Sequence, residues 1–389
     1  MYKKIFLKKE NLKHSLHPWI FSGALKQKYD YDKGEIVDLY FNNEFISRGY
    51  YNNTTSIAYR VLTYKKNEII NKEFFKKRFK EAENQISKII DKTETDSYRL
   101  IFGENSYIPG LIIDKYDDHF VIQLHTAGID NLKEEIKEAI KEIYAPKAII
   151  NKSALKSRAQ EGLKPIEEVL YGLPQKKIIK ENNIFFEIDF ENSQKTGTFL
   201  DQRENRKTLT KYFKKGKLLN MFGYNGGFNL YLKNCSCESI NWDISENALK
   251  QYVNNLKLNN MDLNKHIFLK SDIFKAISNN HKFEQRFDAI VLDPPALAKN
   301  LKNKKRAVGQ YIKLNEFALN NLKEGGFLFS SSCTNVVNQN DFEFALQRAA
   351  QNTKSKITIL EKKFNSPDHP MNPHFPEGIY LKFYVIYKY

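Results

Sequence analysis

The sequence is poor in cysteine, with three among 389 residues: Cys235, Cys237 and Cys333. So few exclude the disulfide framework of a small secreted domain. Cys235-Ser236-Cys237 has no second pair at a suitable spacing, which excludes a structural zinc site. No apolar run approaches the roughly 20 residues of a membrane span. The opening MYKKIFLKKE is basic but lacks a long apolar stretch, so no secretory signal is read there and the cytoplasm is the expected compartment. The dinucleotide fingerprint G-x-G-x-x-G is absent, which argues against a nicotinamide-dependent oxidoreductase. Internal repeats and low-complexity tracts are lacking too. Acidic residues are outnumbered: 46 Asp and Glu against 62 Lys and Arg give a formal net charge of +16, a balance that suits RNA or DNA. The hydrophobic share of 41% is that of a globular chain, long enough for two or three domains.

What is present falls into three stretches. Residues 1–72 read as β. Ile36–Tyr40 and Phe45–Tyr51 flank Asn42-Asn43, a hairpin signal, and Ile57–Thr63 is rich in β-formers. A small barrel is expected, with Trp19 and Phe21 of HSLHPWIFSGAL as buried anchors. Asn71–Asp91 reads as a helix with Phe75, Phe79, Ala82, Ile86 and Ile89 on one face. From Tyr98 to Ile188 the pattern is strand, strand, helix, strand, strand, closed by a hairpin at Asn182-Asn183, and it carries no catalytic constellation.

From about residue 190 strands and helices alternate as in a doubly wound sheet. The predicted strands are Lys217–Phe222, Ser239–Ile244, His266–Lys270, Phe287–Leu292, Phe327–Ser331, Ile357–Leu360 and Tyr380–Tyr387, with a helix Tyr311–Leu322 stopping at Gly325-Gly326. Ligands of such sheets bind beyond the carboxyl ends of the strands. The first strand ends in FGYNGGF, a glycine turn that offers backbone N–H groups, and Asp243 lies twenty positions after Gly223, where an acid reaches a ribose diol. The combination suits S-adenosylmethionine. Asn220 and the amides of Phe222, Gly223 and Tyr224 would meet its amino-acid part. Asp243 would meet the ribose and Asp272 the adenine amine, with Ile244 and Ile273 against the ring.

Asp293-Pro294-Pro295 follows the fourth strand, where the prolines stiffen the chain and remove donors. In class I methyltransferases a motif of this kind faces the atom being modified. Cys333 follows the next strand, and adjacent strands lie about 4.8 Å apart, so thiol and carboxylate can face one pocket. Addition of a thiolate to C6 of a pyrimidine makes C5 nucleophilic enough to accept a methyl group, and Asp293 could stabilise the charge that forms. His369 and His374, in the Pro-rich loop Ser366–Gly378, are open to substrate contact or to a structural role.

These motifs stand in order along nearly the whole chain: HPWIFSGAL, PGLIIDKY, SQKTGTFLDQRENR, LLNMFGYNGGF, FDAIVLDPPALAK, GGFLFSSSCT and DHPMNPHFPEGIYLKF. Together they resemble the RlmI type of large-subunit rRNA methyltransferase, which makes 5-methylcytosine in 23S rRNA. The resemblance implies an α/β architecture: a Rossmann-like class I methyltransferase domain with a mostly parallel seven-stranded sheet (189–389), preceded by a small PUA β-barrel that binds RNA (1–72) and an α+β middle module (73–188). It implies S-adenosylmethionine as cofactor, 23S rRNA as partner, no membrane, Cys333 as nucleophile and Asp293 as its acid partner, and leaves a homodimer open. Phe199 and Gln202, with Asp293, are implied to cover or contact the cofactor, while Arg203 and Arg206 are open to holding RNA phosphate or to capping the helix. Gly223-Tyr224-Asn225 stands where relatives often have Ser-Tyr-Thr, and Thr334 where Ser is common. Relatives with similar domains modify other bases, so two alternatives stand beside this reading: purine N-methylation in rRNA, and an RNA-binding assembly factor without catalysis.

Overall fold

The computed structural model describes residues 2–191 and 196–389, so Ser193, Gln194 and Lys195 of the motif SQKTGTFLDQRENR lie outside the described residues. The chain divides into two units. One is Met1–Ile179 with Ile188–Leu200 and Pro367–Gly378; the other is Lys180–Glu187 with Asp201–Ser366 and Ile379–Tyr389.

The first unit holds two five-stranded sheets. Lys3–Phe6, Trp19–Ile20, Glu35–Phe41, Glu44–Tyr51 and Tyr59–Thr63 form the first. Lys8 N donates to Ala24 O (2.8 Å) and Lys26 N to Phe6 O (2.9 Å), which curls that sheet into the expected barrel. Its Asn42 turn has φ 51°, the left-handed geometry asparagine tolerates. Phe21 is 51% exposed, against the expectation of a buried anchor. Trp19 is half-buried and donates from Nε1 to Glu104 Oε1 (2.8 Å). The second sheet contains two strands that the sequence pattern did not announce, Ser97–Phe102 and Ile166–Gly172, beside Leu111–Tyr116, His119–Leu124 and Ala148–Ser153. Helix Lys72–Ile86 starts at Asn71, whose side chain accepts from Phe74 N (3.1 Å). It stops before Ile89, which is 43% exposed, and Ile90 is buried instead.

The second unit is built on seven strands: β1 (Lys215–Met221), β2 (Ser236–Asp243), β3 (His266–Lys270), β4 (Phe287–Leu292), β5 (Leu322–Ser332), β6 (Ile357–Lys363) and β7 (Lys382–Lys388). Their order is β3-β2-β1-β4-β5-β7-β6, parallel except that β7 runs antiparallel to both neighbours. This is the expected Rossmann-like sheet. Strand order reverses between β1 and β4, the position at which such sheets bind ligands. β4, FDAIVL, is apolar on both faces because helices cover both sides of a parallel sheet. The main core joins Leu219, Met221, Trp242, Ile290, Leu292, Tyr311 and Phe342. Gly325-Gly326 does not stop a helix as predicted. The helix Lys304–Asn321 ends earlier, and the glycines bulge within β5, where Leu322 pairs with Phe287 and Phe327 with Ala289.

Candidate active site

Beyond Met221 the chain turns through Phe222 (φ 61°), Gly223, Tyr224 (φ 46°) and Gly226 (φ 79°). A buried amide network beneath holds this shape. Asn220, fully buried, donates from Nδ2 to Asn229 Oδ1 (2.6 Å) and Asn241 Oδ1 (3.1 Å), while Asn241 Nδ2 donates to Tyr224 O (2.9 Å). A Cβ on Gly223 would land on Asn241 Oδ1, which requires glycine there. Asn220 Oδ1 and Asn225 Nδ2 are buried with no hydrogen-bond partner among the described residues.

Asp243, half-buried at the end of β2, accepts from Tyr224 N (2.9 Å) and Ser245 N (2.9 Å), and so couples the first two loops. Asp272 caps the helix Ile273–Ser278 by accepting from Lys275 N (3.1 Å). Ile244 is 62% exposed, whereas Ile273 is buried in the core, so only Ile244 offers an apolar face to a planar ring.

β4 runs into Asp293-Pro294-Pro295 and β5 into Cys333, and the register of Leu292 opposite Ser330 brings both loops to one rim. Cys333 is half-buried, and its Sγ lies 3.6 Å from Pro294 O, so the thiol faces the backbone of the Asp-Pro-Pro turn. Thr334 locks the two loops together: its Oγ1 accepts from Leu297 N (2.9 Å) and lies 2.8 Å from the Tyr311 hydroxyl. Burial raises the Tyr311 phenol, and the charges of Cys333 and Asp293 add to that, so it stays neutral. Asp293 accepts from Gln202 Nε2 (3.0 Å), and Gln202 Oε1 accepts in turn from Asn205 Nδ2 (2.7 Å). From β7, Lys382 reaches under the same loop and donates from Nζ to Thr334 O (3.0 Å) and Val337 O (2.6 Å).

The structure thus gathers Asp293, Cys333 and Gln202 at the rim, and Gln202 is buried against the acid rather than lying open to a cofactor. Phe199 belongs to the first unit and is half-buried. Arg203 and Arg206 do not fit phosphate binding. Both are buried; Arg203 pairs with Glu204 (3.2 Å), and Arg206 grips Glu181 with Nε (2.8 Å) and Nη2 (2.6 Å). His369 is buried in the first unit, its ring 5.2 Å from Phe102, while His374 is exposed. Tyr311 and Lys382 were not among the site residues read from sequence, and Thr334 stood there only as a departure from the commoner Ser. For Lys382 a signal existed: a lysine inside the apolar run YLKFYVIY. Among the described residues no group of His, Cys, Asp and Glu could hold a metal ion, and no helix is long and apolar enough to cross a membrane.

Residues 160–377 match the S-adenosylmethionine-dependent methyltransferase family, and residues 8–64 match the PUA-like domain family. The chain is 36% identical to Ribosomal RNA large subunit methyltransferase I of Aliivibrio fischeri (strain ATCC 700601 / ES114) over 371 residues, 94% of each chain. It is also 36% identical to the protein of that name from Tolumonas auensis over 394 residues, 99% of each chain. Among solved structures it superposes on a chain from Streptococcus mutans whose own assignment as a SAM-dependent methyltransferase is provisional, at TM-score 0.81 and 22% identity over the full length of both. A second, SMU.776 in complex with SAH, matches at TM-score 0.83 and 21% identity, again over the full length of both. At these identities the two structures speak for the fold.

Proposed function

The chain belongs to the S-adenosylmethionine-dependent methyltransferases of the Ribosomal RNA large subunit methyltransferase I family, and from that membership we propose that it methylates C5 of a cytosine in 23S rRNA through a covalent bond between Cys333 and C6. The observation that carries this reading is the approach of Cys333 Sγ to Pro294 O, 3.6 Å, which sets the thiol against the turn that bears Asp293.

The β1–β2 rim fits the cofactor. Asn220 Oδ1 and Asn225 Nδ2 are an unmatched acceptor and donor of the kind an α-ammonium and an α-carboxylate use. Each Asp243 oxygen keeps a second acceptor site for a ribose hydroxyl. When bound, S-adenosylmethionine supplies the electrophilic methyl of its sulfonium. Cys333 supplies the other half of the reactivity: its thiolate adds to C6, and the ring becomes an enamine with electron density at C5. Asp293, held by Gln202, hydrogen-bonds N3 or the exocyclic amine and steadies the charge of the adduct. Once C5 carries the transferred methyl group, its proton passes to solvent and the sulfur leaves as thiolate, which restores the ring. In this reading modules 1–72 and 73–188 present the RNA and 189–389 performs the chemistry, in the cytoplasm. Every group named comes from one chain, so the scheme works in a monomer or a homodimer.

The test is methylation of 23S rRNA from cells lacking the gene, with nucleoside mass spectrometry of the product. The expected product is 5-methylcytidine. Cys333→Ala should lose turnover by roughly a thousandfold or more while binding S-adenosylmethionine as before. Retained turnover in that variant, or a methylated purine, would remove the covalent route in favour of purine N-methylation. No heat on titration with S-adenosylmethionine would favour an assembly factor without catalysis.

A further inference from the structure

Lys382 is a charged side chain at the rim whose placement the scheme above does not use. It sits on β7 opposite Ser332, the residue before Cys333, and is 3% exposed. A lysine so buried ordinarily has a carboxylate beside it. Among the described residues, Lys382 has no carboxylate within 4 Å; its two partners, Thr334 O and Val337 O, are neutral carbonyls of the loop that carries Cys333. Burial pushes it down to about 8, and of the charges that pull it back up, the Cys333 thiolate acts most, ahead of Asp341. Asp341, on the helix Gln339–Asn352, is already engaged by Lys304 (2.7 Å). Across the loop, burial keeps Tyr311 neutral, and Cys333 and Asp293 oppose its ionisation further. Of these groups Lys382 brings the positive charge that can offset the loss of the Cys333 proton.

We propose that Lys382 is a positioning residue for the nucleophile: its ammonium clamps the loop Cys333–Val337 by two carbonyls and, from beneath it, stabilises the Cys333 thiolate. The interaction is reciprocal, so a thiolate at Cys333 keeps Lys382 protonated and the two titrate as a pair. The proton lost from sulfur passes to solvent, and Lys382 itself touches no reacting atom. The inference rests on Cys333 being the nucleophile, but its test does not need methyl transfer.

Lys388 gives the internal comparison. It lies on the same strand, is also buried, and caps two carbonyls, Leu319 O (2.8 Å) and Leu322 O (2.9 Å), with no thiol among the charges that act on it. The experiment follows alkylation of Cys333 by iodoacetamide across pH, read at the peptide level by mass spectrometry so that Cys235 and Cys237 are resolved. Lys382→Met should shift the midpoint upward by about one pH unit, slowing alkylation near neutrality roughly tenfold. Lys382→Arg should restore the midpoint, and Lys388→Met should leave it unmoved while lowering the melting temperature. An unmoved midpoint in Lys382→Met would overturn the proposal. Should that variant not fold, the reciprocal measurement decides. In protein with 15N-labelled lysine side chains, Cys333→Ser should lower the midpoint at which the Lys382 ammonium titrates, and an unchanged midpoint would overturn the proposal equally. Normal alkylation shifts in a protein that makes no 5-methylcytidine would count against the cytosine reading alone.

Discussion

At the rim where β4 ends, an amide chain meets the Asp293 carboxylate. Gln202 points its Nε2 at Asp293 because Asn205 fixes its other end, and Asn205 Nδ2 is itself tied to Phe364 O (3.2 Å). A neutral amide orients the acid without the countercharge a lysine or arginine would bring. Neutrality is also the state of His125 in the first unit. Its Nε2 is buried without a hydrogen-bond partner among the described residues, and burial, with Arg99 and Arg158 nearby, lowers it to about 4. An unfolded histidine titrates near 6.5. Above that pH the ring is neutral in both states and has no effect on stability. As pH falls from about 6.5 toward 4, the unfolded chain takes up a proton that the folded ring refuses, and stability is lost. At pH 4.5 the loss is about 2–3 kcal/mol, from two units at about 1.4 kcal/mol each. His125→Gln should therefore lose less between pH 7 and pH 4.5 than the unmodified protein, by about 2 kcal/mol in urea unfolding. Equal losses would contradict the buried neutral ring.

At the scale of elements, the hairpin Lys177–Glu181/Ile184–Ile188 shows where reading by pattern succeeds and where it stops. Asn182 and Asn183 have φ 48° and 62°, as a tight hairpin turn requires, and asparagine is among the residues that accept it. That much was legible, as were β3 and β4, whose bounds match the sequence reading residue for residue. The charged partner was not. Glu181 is fully buried between Arg206 and Tyr231, whose hydroxyl donates to it at 2.8 Å, and nothing local to Arg206 distinguishes such a residue from one that faces phosphate. Periodicity reports which face of a helix is apolar; it does not report that a guanidinium and a carboxylate 25 positions apart meet in the interior. The same limit hid the partners of Lys382, which are backbone carbonyls that no side-chain pattern encodes. Removing one member of a buried pair strands the other charge. Arg206→Met should cost about 3–5 kcal/mol in urea unfolding. Adding Glu181→Leu should recover most of it, because the stranded charge is then gone; a double variant no more stable than the single one would show that packing, not charge, sets the cost.

At the scale of the whole molecule, the two sheets of the first unit share one interior. Tyr50 stands on a barrel strand, fully buried, yet its hydroxyl donates to Pro109 O (2.8 Å) and lies 2.9 Å from Thr126 Oγ1, both outside the barrel. Its ring occupies the space a Cβ at Gly128 would need, and it belongs with Leu62, Ile101, Ile113 and Ile129 to a single hydrophobic cluster. Asn52, just past the strand Glu44–Tyr51, and Arg60 of the strand Tyr59–Thr63 bond Glu161 (2.9 and 2.8 Å), so polar ties run beside the apolar ones. A barrel fused in this way to its neighbour is a fixed platform rather than a tethered bead. Cooperativity follows from shared burial. Tyr50→Ala deletes a buried aromatic ring and should remove about 3–5 kcal/mol. Hydrogen exchange should report that loss in the barrel strands and in Leu111–Tyr116 and His119–Leu124 together, with β1–β5 of the second unit keeping their protection. Protection lost from the barrel alone would mean that the barrel opens by itself, and that the cluster around Tyr50 does not bind the two sheets into one folding unit.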